Sequence, residues 1–158
     1  MLPMDDFALR VRSHPWGLEP HDEWHKPEDI LGTLIAAWHG EADSYDQLMS
    51  TLANNHAGEW YPGLVSAMPF MAEILARGAT AGARAVLYLL TDFVYSFHVF
   101  QPDPVGARRL ELDFHDCLRQ IQRTLVGDTA LAQSDLEAAA GLVEVIDERL
   151  RDTDAGQA

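Results

Sequence analysis

The stretch from Trp38 to Phe93 carries three apolar helical patterns in succession, separated by short breaks. Apolar residues recur in each pattern at intervals of three and four, which places them on one side of a helix. Glycine, asparagine and proline occupy the breaks, where these residues end one helix or start the next. The stretch therefore predicts an all-α fold, and the short connections favour antiparallel pairing of helices that are adjacent in sequence.

The remaining segments extend this pattern at both ends of the chain. We predict helices over residues 1–13, from Pro27 to Gly40, from Asp43 or Ser44 through Leu52, from Pro62 to Gly78, from Thr80 to Phe97, from Val105 to Val126, and from Thr129 to Arg151. Residues 14–27 form a proline-rich loop that Trp16 and Trp24 are expected to anchor. The aromatic and β-branched residues of 93–100 also permit a strand, but no partner strand is recognisable, so a helix is favoured.

Length and composition indicate one folded domain spanning residues 1–158. With 47% hydrophobic residues, the chain is long enough to bury a core without metal or disulfide bonds. The single cysteine, Cys117, excludes an internal disulfide and is typical of a reducing compartment. No N-terminal targeting pattern is present, and no apolar run reaches the length of about 18 residues that spans a membrane. We therefore expect a cytoplasmic protein.

The net charge narrows the range of partners. The chain has 25 acidic and 11 basic residues, which gives a net charge of −14. Nucleic-acid phosphates and anionic lipid surfaces would be repelled by this charge, whereas a basic protein would be attracted. We therefore expect no nucleic acid and no membrane among the partners, and a basic protein is favoured. Solubility alone is a second explanation for an acidic composition.

Several motifs follow one another in the central stretch. They are Asp43 or Asp46 with Leu48 and Leu52, then His56, Gly58 and Tyr61-Pro62, then Pro69-Phe70-Met71 with Glu73-Ile74-Leu75, and finally Arg84-Ala85 with Leu87, Leu89 and Leu90. Over about a third of the chain, this order resembles that of bacterial HEAT-like short helical-repeat proteins. The resemblance implies a short α-solenoid of stacked antiparallel helix pairs. Its parts would be an N-terminal helix and loop (1–27), a HEAT-like core (28–97) and a closing helix pair (105–152).

Some members of that group resemble immunity proteins, which protect a bacterium from its own secreted polymorphic toxins. The resemblance therefore implies a non-enzymatic protein that neutralises a cognate toxin by occluding it. An adaptor or scaffold without any toxin needs the same kind of binding surface, and it stays open as an alternative.

The candidates for that surface are acidic and aromatic residues near two helix starts. They are Glu41, Asp43, Asp46, Glu59, Trp60 and Tyr61. In a stack of helices both groups can lie along one edge, where the acids attract a basic partner and the aromatic rings supply contact area. The alternative is that Trp60 and Tyr61 pack inside and that the acids cap helices.

A metal-dependent or acid/base enzyme is the remaining alternative. His21 and His25 are four residues apart, a spacing at which two histidines on a helix share a metal ion. Glu23, however, occupies neither position that the zinc-protease patterns require. Pro20 and Pro27 enclose the segment, so a polar loop is favoured over a helix.

Other possible catalytic groups are better explained as structural residues. His115, Asp116 and Cys117 are adjacent on a predicted helix, so their side chains point in different directions and form no catalytic pair. Cys117 is expected to be a small core residue, and Asp92 to bond a tyrosine or a helix end. The sequence contains no glycine-rich phosphate loop, no G-x-S-x-G and no CxxC pair. We therefore predict no enzymatic activity, no cofactor and no metal.

Overall fold

The computed structural model describes residues 5–16, 27–41, 43–54, 57–99, 103–127 and 130–156. Within these ranges the chain is all-α, with seven α-helices and three very short strands. The helices are α1 (Asp6–Ser13), α2 (Pro27–Trp38), α3 (Ser44–Leu52), α4 (Gly63–Ala76), α5 (Ala81–Ser96), α6 (Pro104–Val126) and α7 (Leu136–Gly156). The predicted fold class is confirmed.

Several helix ends fall where capping residues occur in the sequence. Thr80 caps α5, because its side-chain oxygen accepts a hydrogen bond from the Ala83 N–H at 3.0 Å. The Asp103 carboxylate accepts from two backbone N–H groups in the first turn of α6. Gly40 and Gly78 follow α2 and α4 with φ of 76° and 87°, a left-handed conformation that glycine adopts without steric cost. These predicted stops are confirmed.

The helices contact one another in an ordered way. In one series α2 packs against α4 and α4 against α6, and in a second series α3 packs against α5 and α5 against α7. Each helix also contacts its neighbour in sequence: α2 with α3, α4 with α5, and α6 with α7. Stacked helix pairs give contacts in this order. The HEAT-like solenoid itself stays a prediction.

The hydrophobic core is centred on α4 and α5. Their fully buried side chains include Leu64, Met68, Met71, Ile74, Leu75, Val86, Leu87, Leu89, Leu90 and Phe93. A helix that is apolar over most of its circumference is stable only inside a protein, which explains the central position of both helices. Among the helices of the described ranges, none has both the length and the apolar sequence that a membrane span requires.

The N-terminal helix is held by aromatic contacts. The Phe7 ring stacks on Trp38 of α2, with ring centroids 4.1 Å apart. Trp16, only 3% exposed, donates its indole N–H to the Val11 carbonyl at 2.7 Å. Trp16 is therefore packed against α1, while Trp24 and the rest of the predicted loop, residues 17–26, lie outside the described residues.

A small sheet joins the ends of three helices. Its strands are β1 (Ala53–Asn54), β2 (Glu59–Trp60) and β3 (His98–Val99). Helix was favoured over residues 93–100 because no partner strand was recognisable, but residues 98–99 form a strand and pair with β2. The central strand, β2, pairs antiparallel with β1 and parallel with β3, so Trp60 lies opposite Ala53 on one side and Val99 on the other. Strands of two residues show no alternating pattern, so the sequence carries no periodic signal for them.

The last helix begins later than predicted. We expected it to start near Thr129, a residue outside the described ranges, but α7 begins at Leu136 after one turn of 3₁₀ helix. That turn is held by a residue of α5. The Arg84 Nε–H donates to both Asp135 oxygens at 3.1 and 3.2 Å, and its Nη2 donates to Ser134 Oγ at 3.0 Å. A tertiary contact therefore holds the residues that lead into this helix.

Candidate functional site

The predicted acidic residues at the start of α3 are accessible. Glu41, Asp43 and Asp46 are all exposed. Asp43 occupies the N-cap position of α3, but its side chain makes no capping hydrogen bond. The Ser44 hydroxyl instead donates to the Glu41 carbonyl oxygen at 2.6 Å. The Asp43 carboxylate therefore does not cap α3 and faces solvent, where it contributes to an acidic surface.

The predicted aromatic anchors are not on the surface, and this part of the prediction is corrected. Trp60 is fully buried and Tyr61 is 1% exposed. The Trp60 ring lies 4.8 Å from the Phe114 ring, and β2 is flanked by strands on both sides. Because both side chains are enclosed by the core, neither can contact a partner at the surface. Glu59, on the same strand, is half-buried.

The structure instead places two other tyrosines beside the acidic residues. A cavity of about 530 Å³ opens between α3 and α5. Its lining consists of Tyr45, Ala81, Arg84, Ala85, Tyr88 and Asp92. Tyr88 is 44% exposed. We name this feature the α3/α5 groove. Because Tyr45 lies between Asp43 and Asp46 in the first turns of α3, the groove adjoins the acidic residues of that helix.

One hydrogen bond joins the two walls of the α3/α5 groove. The Tyr45 hydroxyl donates to Asp92 Oδ2 at 2.5 Å. Burial, and then this bond to a carboxylate, raise the pKa of Tyr45 to about 12. Asp92 was predicted to bond a tyrosine or a helix end, and the structure shows the tyrosine. The bond holds the Tyr45 ring in a fixed orientation, with its hydroxyl protonated at neutral pH.

Among the described residues that line the groove, Arg84 is the one basic side chain, and it is already paired. Arg84 is bound to Asp135, which is only 4% exposed, so its charge is offset by a carboxylate at the same place. The groove is acidic because Asp92 lines it and Asp43 and Asp46 lie at its rim. Ala81 and Ala85 add small apolar side chains to the lining. This arrangement favours a partner that brings basic and apolar side chains together.

Sequence reasoning missed a second cavity, of about 470 Å³, between α5, α6 and α7. Its lining residues are Val94, Tyr95, Glu111, His115, Val145, Glu148, Arg149, Asp152 and Thr153. We name it the His115 cavity. The sequence does contain a signal for it, because Glu111 and His115 are four residues apart on α6 and so share a face. Their meeting with α7 depends on tertiary packing.

Cys117 is unsuited to act as a nucleophile. Burial raises the pKa of its thiol to about 11, so the thiolate is scarce at neutral pH. Its Sγ lies 3.7 Å from the Val65 carbonyl oxygen, and the residue is half-buried. This position agrees with the predicted packing role.

The metal-site alternative falls where the structure gives no information. Both candidate ligands, His21 and His25, lie outside the described residues. His56, part of the motif that resembles HEAT-like proteins, lies outside them as well. In the part of the chain that is described, no three histidine, cysteine, aspartate or glutamate side chains come together as a metal site requires.

Comparisons with protein-family models, with curated proteins and with solved structures find no match to this chain.

Proposed function

We propose that this protein is a non-enzymatic inhibitor of the immunity-protein type, which binds a basic toxin domain and occludes it. The observation that supports this most is the α3/α5 groove, where an exposed tyrosine and a fixed tyrosine lie beside exposed carboxylates. The resemblance to HEAT-like proteins supplies the toxin context. A scaffold that binds a harmless basic protein through the same groove is the alternative.

Electrostatics supports capture of a basic partner. A net charge of −14 attracts a basic protein from a distance and raises the rate of encounter. The attraction weakens with salt, because the screening length falls from about 10 Å at 0.1 M salt to about 3 Å at 1 M. The rate of association should therefore fall steeply as salt is added.

Tyrosine side chains support retention of the partner once it has arrived. Tyr88 offers an accessible ring and a hydroxyl, a combination common among residues that dominate binding energy at interfaces. The Tyr45 ring is held by Asp92, so little conformational entropy is lost when a partner packs on it. A partner that fills the groove would have the corresponding part of its own surface covered, which is how occlusion would inhibit it.

The first experiment is a pull-down of tagged protein from its own host at 0.05 M and 0.5 M salt, followed by mass spectrometry. We expect a basic protein that is retained at low salt and released at high salt. The retained protein is then expressed alone and tested for toxicity, with and without this chain. Restored growth on co-expression supports the immunity function, whereas a harmless partner supports the scaffold.

Variants localise the interaction to the groove. The double variant Asp43→Asn/Asp46→Asn and the single variant Tyr88→Ser should each weaken binding by about tenfold or more. Glu137→Gln/Glu144→Gln is the matched control, because it removes two exposed acids from α7 and changes net charge equally. Equal weakening by both double variants would show that charge acts without the groove, and the proposal would be withdrawn.

A further inference from the structure

The α3/α5 groove contains a carboxylate of which the protein itself uses one oxygen. Asp92 lines the groove and is half-buried, and its Oδ2 accepts the hydrogen bond from the Tyr45 hydroxyl at 2.5 Å. Among the described residues, none bonds the other oxygen, Oδ1. In the same part of the chain, the fully enclosed polar side-chain atoms that lack a partner belong to Trp60 and His115, and none belongs to Asp92. Asp92 Oδ1 can therefore be reached from the groove.

An apolar path along α5 leads to this carboxylate. Tyr88 lies four residues before Asp92, so the two side chains share one face of the helix, about 6 Å apart along its axis. Ala85 and Ala81 continue the same face away from Asp92, and all of them line the groove. Tyr88 is 44% exposed, and Tyr45 faces it from α3. A ligand that enters the groove along α5 would therefore meet methyl groups and aromatic rings first, and a negative charge at the end.

The charge of Asp92 is not offset within the groove. The basic side chain of the described lining, Arg84, donates from Nε to both oxygens of Asp135. It also lies eight residues before Asp92, about 12 Å away along the helix axis. Asp46, exposed and next to Tyr45 in sequence, adds a second negative charge at the rim. A carboxylate beside apolar walls attracts a cation more strongly than one surrounded by water, because fewer water dipoles screen it.

We propose that the α3/α5 groove binds one lysine side chain of the partner protein. The methylene stem of the lysine would pack on the Tyr88 ring, and its ammonium would donate to Asp92 Oδ1. Lysine is favoured over arginine, because an ammonium needs one carboxylate oxygen, whereas a guanidinium fork binds two and Tyr45 already bonds Oδ2. This inference rests on the proposed function for the source of the lysine, and it names the part of the partner that the groove recognises.

The test is an NMR titration with a capped pentapeptide that has lysine at its centre and alanine elsewhere. Binding is followed through the ring signals of Tyr88, which are assigned by their disappearance in Tyr88→Phe. We expect a saturable shift. A peptide with norleucine, which keeps the stem but lacks the charge, should bind about tenfold or more weakly, and an arginine peptide should also bind more weakly. No saturable shift with the lysine peptide, equal binding of the norleucine peptide or tighter binding of the arginine peptide overturns the proposal.

Two variants separate a defined site from general attraction to an acidic chain. Asp92→Asn keeps an oxygen that can accept the Tyr45 hydrogen bond but loses the charge. It should weaken binding of the lysine peptide by about tenfold or more and leave that of the norleucine peptide unchanged. Glu144→Gln, which removes one exposed acid from α7, should leave binding of the lysine peptide within about twofold. Equal weakening by both variants would overturn the proposal.

The peptide titration and the pull-down fail independently of each other. If the lysine peptide binds as expected but the pull-down retains no basic protein, the proposed toxin partner is wrong and the lysine site stands. If a basic protein is retained but the lysine peptide does not bind, that protein uses another part of the surface and the lysine site is wrong.

Discussion

Gly82 of α5 lies directly against the backbone of Ala37 in α2, so closely that a β-carbon at Gly82 would be 1.7 Å from the Ala37 carbonyl oxygen. The obstacle is backbone, and no side-chain rotation can remove it. The first turn of α5 therefore reaches α2 only because residue 82 has no side chain.

Replacing Gly82 should separate these two helices. We expect Gly82→Ala to lower the free energy of unfolding by about 2–4 kcal/mol, because α5 must move away from α2. Gly141→Ala on α7 is the control, since nothing lies within 4 Å of its added β-carbon. It should raise stability by about 0.5–1 kcal/mol. Urea denaturation measures both, and an unchanged midpoint for Gly82→Ala would contradict the close contact.

The ion pair between Arg84 and Asp135 should contribute more to the free energy of unfolding than ion pairs at the surface do. Asp135 is 4% exposed, so Arg84→Met leaves a buried carboxylate with its main partner removed. We expect a loss of about 1–3 kcal/mol. The control is Arg119→Met, whose carboxylate partners are 76% and 69% exposed. That change should cost less than about 0.5 kcal/mol. Comparable losses in the two variants would show that burial of Asp135 has no effect.

His115 should make the protein less stable in mild acid. Burial, opposed by Glu111 and reinforced by Arg149, lowers its pKa in the folded state below the ordinary 6.5. The unfolded chain therefore takes up a proton first as pH falls, which favours unfolding. The free energy of unfolding should decline below about pH 6.5, by at most about 1.4 kcal/mol per pH unit from this group.

Urea denaturation at pH 7.5, 6.5 and 5.5 measures that decline. His115→Gln should reduce it, because the titrating group is absent. His39→Gln, which alters an exposed histidine, should retain it. An identical pH dependence in the wild type and in His115→Gln would show that other groups are responsible.

The hydrogen bond from Tyr45 to Asp92 should delay the titration of the Tyr45 hydroxyl at alkaline pH. The pKa of Tyr45 is about 12 in the folded state, against an ordinary 10.0. The Tyr45 hydroxyl therefore contributes fully to the free energy of unfolding below pH 10, and this contribution is lost as pH rises through 12. Tyrosinate absorbance should therefore lose a late-titrating component in Tyr45→Phe. At neutral pH the same change should cost about 0.5–1.5 kcal/mol. Tyr95→Phe, at an exposed ring, is the control and should keep the late component.

The sequence predicted the helices because local signals determine where they begin and end. Thr80 accepts a bond from its own helix, and Gly40 and Gly78 adopt conformations that other residues avoid. These effects act over four residues or fewer, so they can be recognised without knowledge of the fold. The exception is the start of α7, which was expected near Thr129 but lies at Leu136, after a turn that Arg84 contacts from far away in sequence.

The candidate sites were predicted less well than the helices, because a site lined by two helices depends on how those helices pack against each other. The acids of α3 are exposed as expected, but the tyrosines beside them come from α3 and α5 together. Trp60 was a candidate surface anchor, with packing inside as the alternative, and the structure shows it buried. Its strand instead pairs on both sides, a relationship between distant segments that a sequence pattern does not contain.

The small sheet around Trp60 also has a consequence for how the chain folds. Pairing of β1 with β2 is local, whereas pairing of β2 with β3 joins segments separated by the whole of α4 and α5. Contacts between distant segments form slowly, because the intervening chain must first be ordered. We therefore expect the parallel pairing to be a late event in refolding, so that α4 and α5 are in place before Trp60 is fully enclosed.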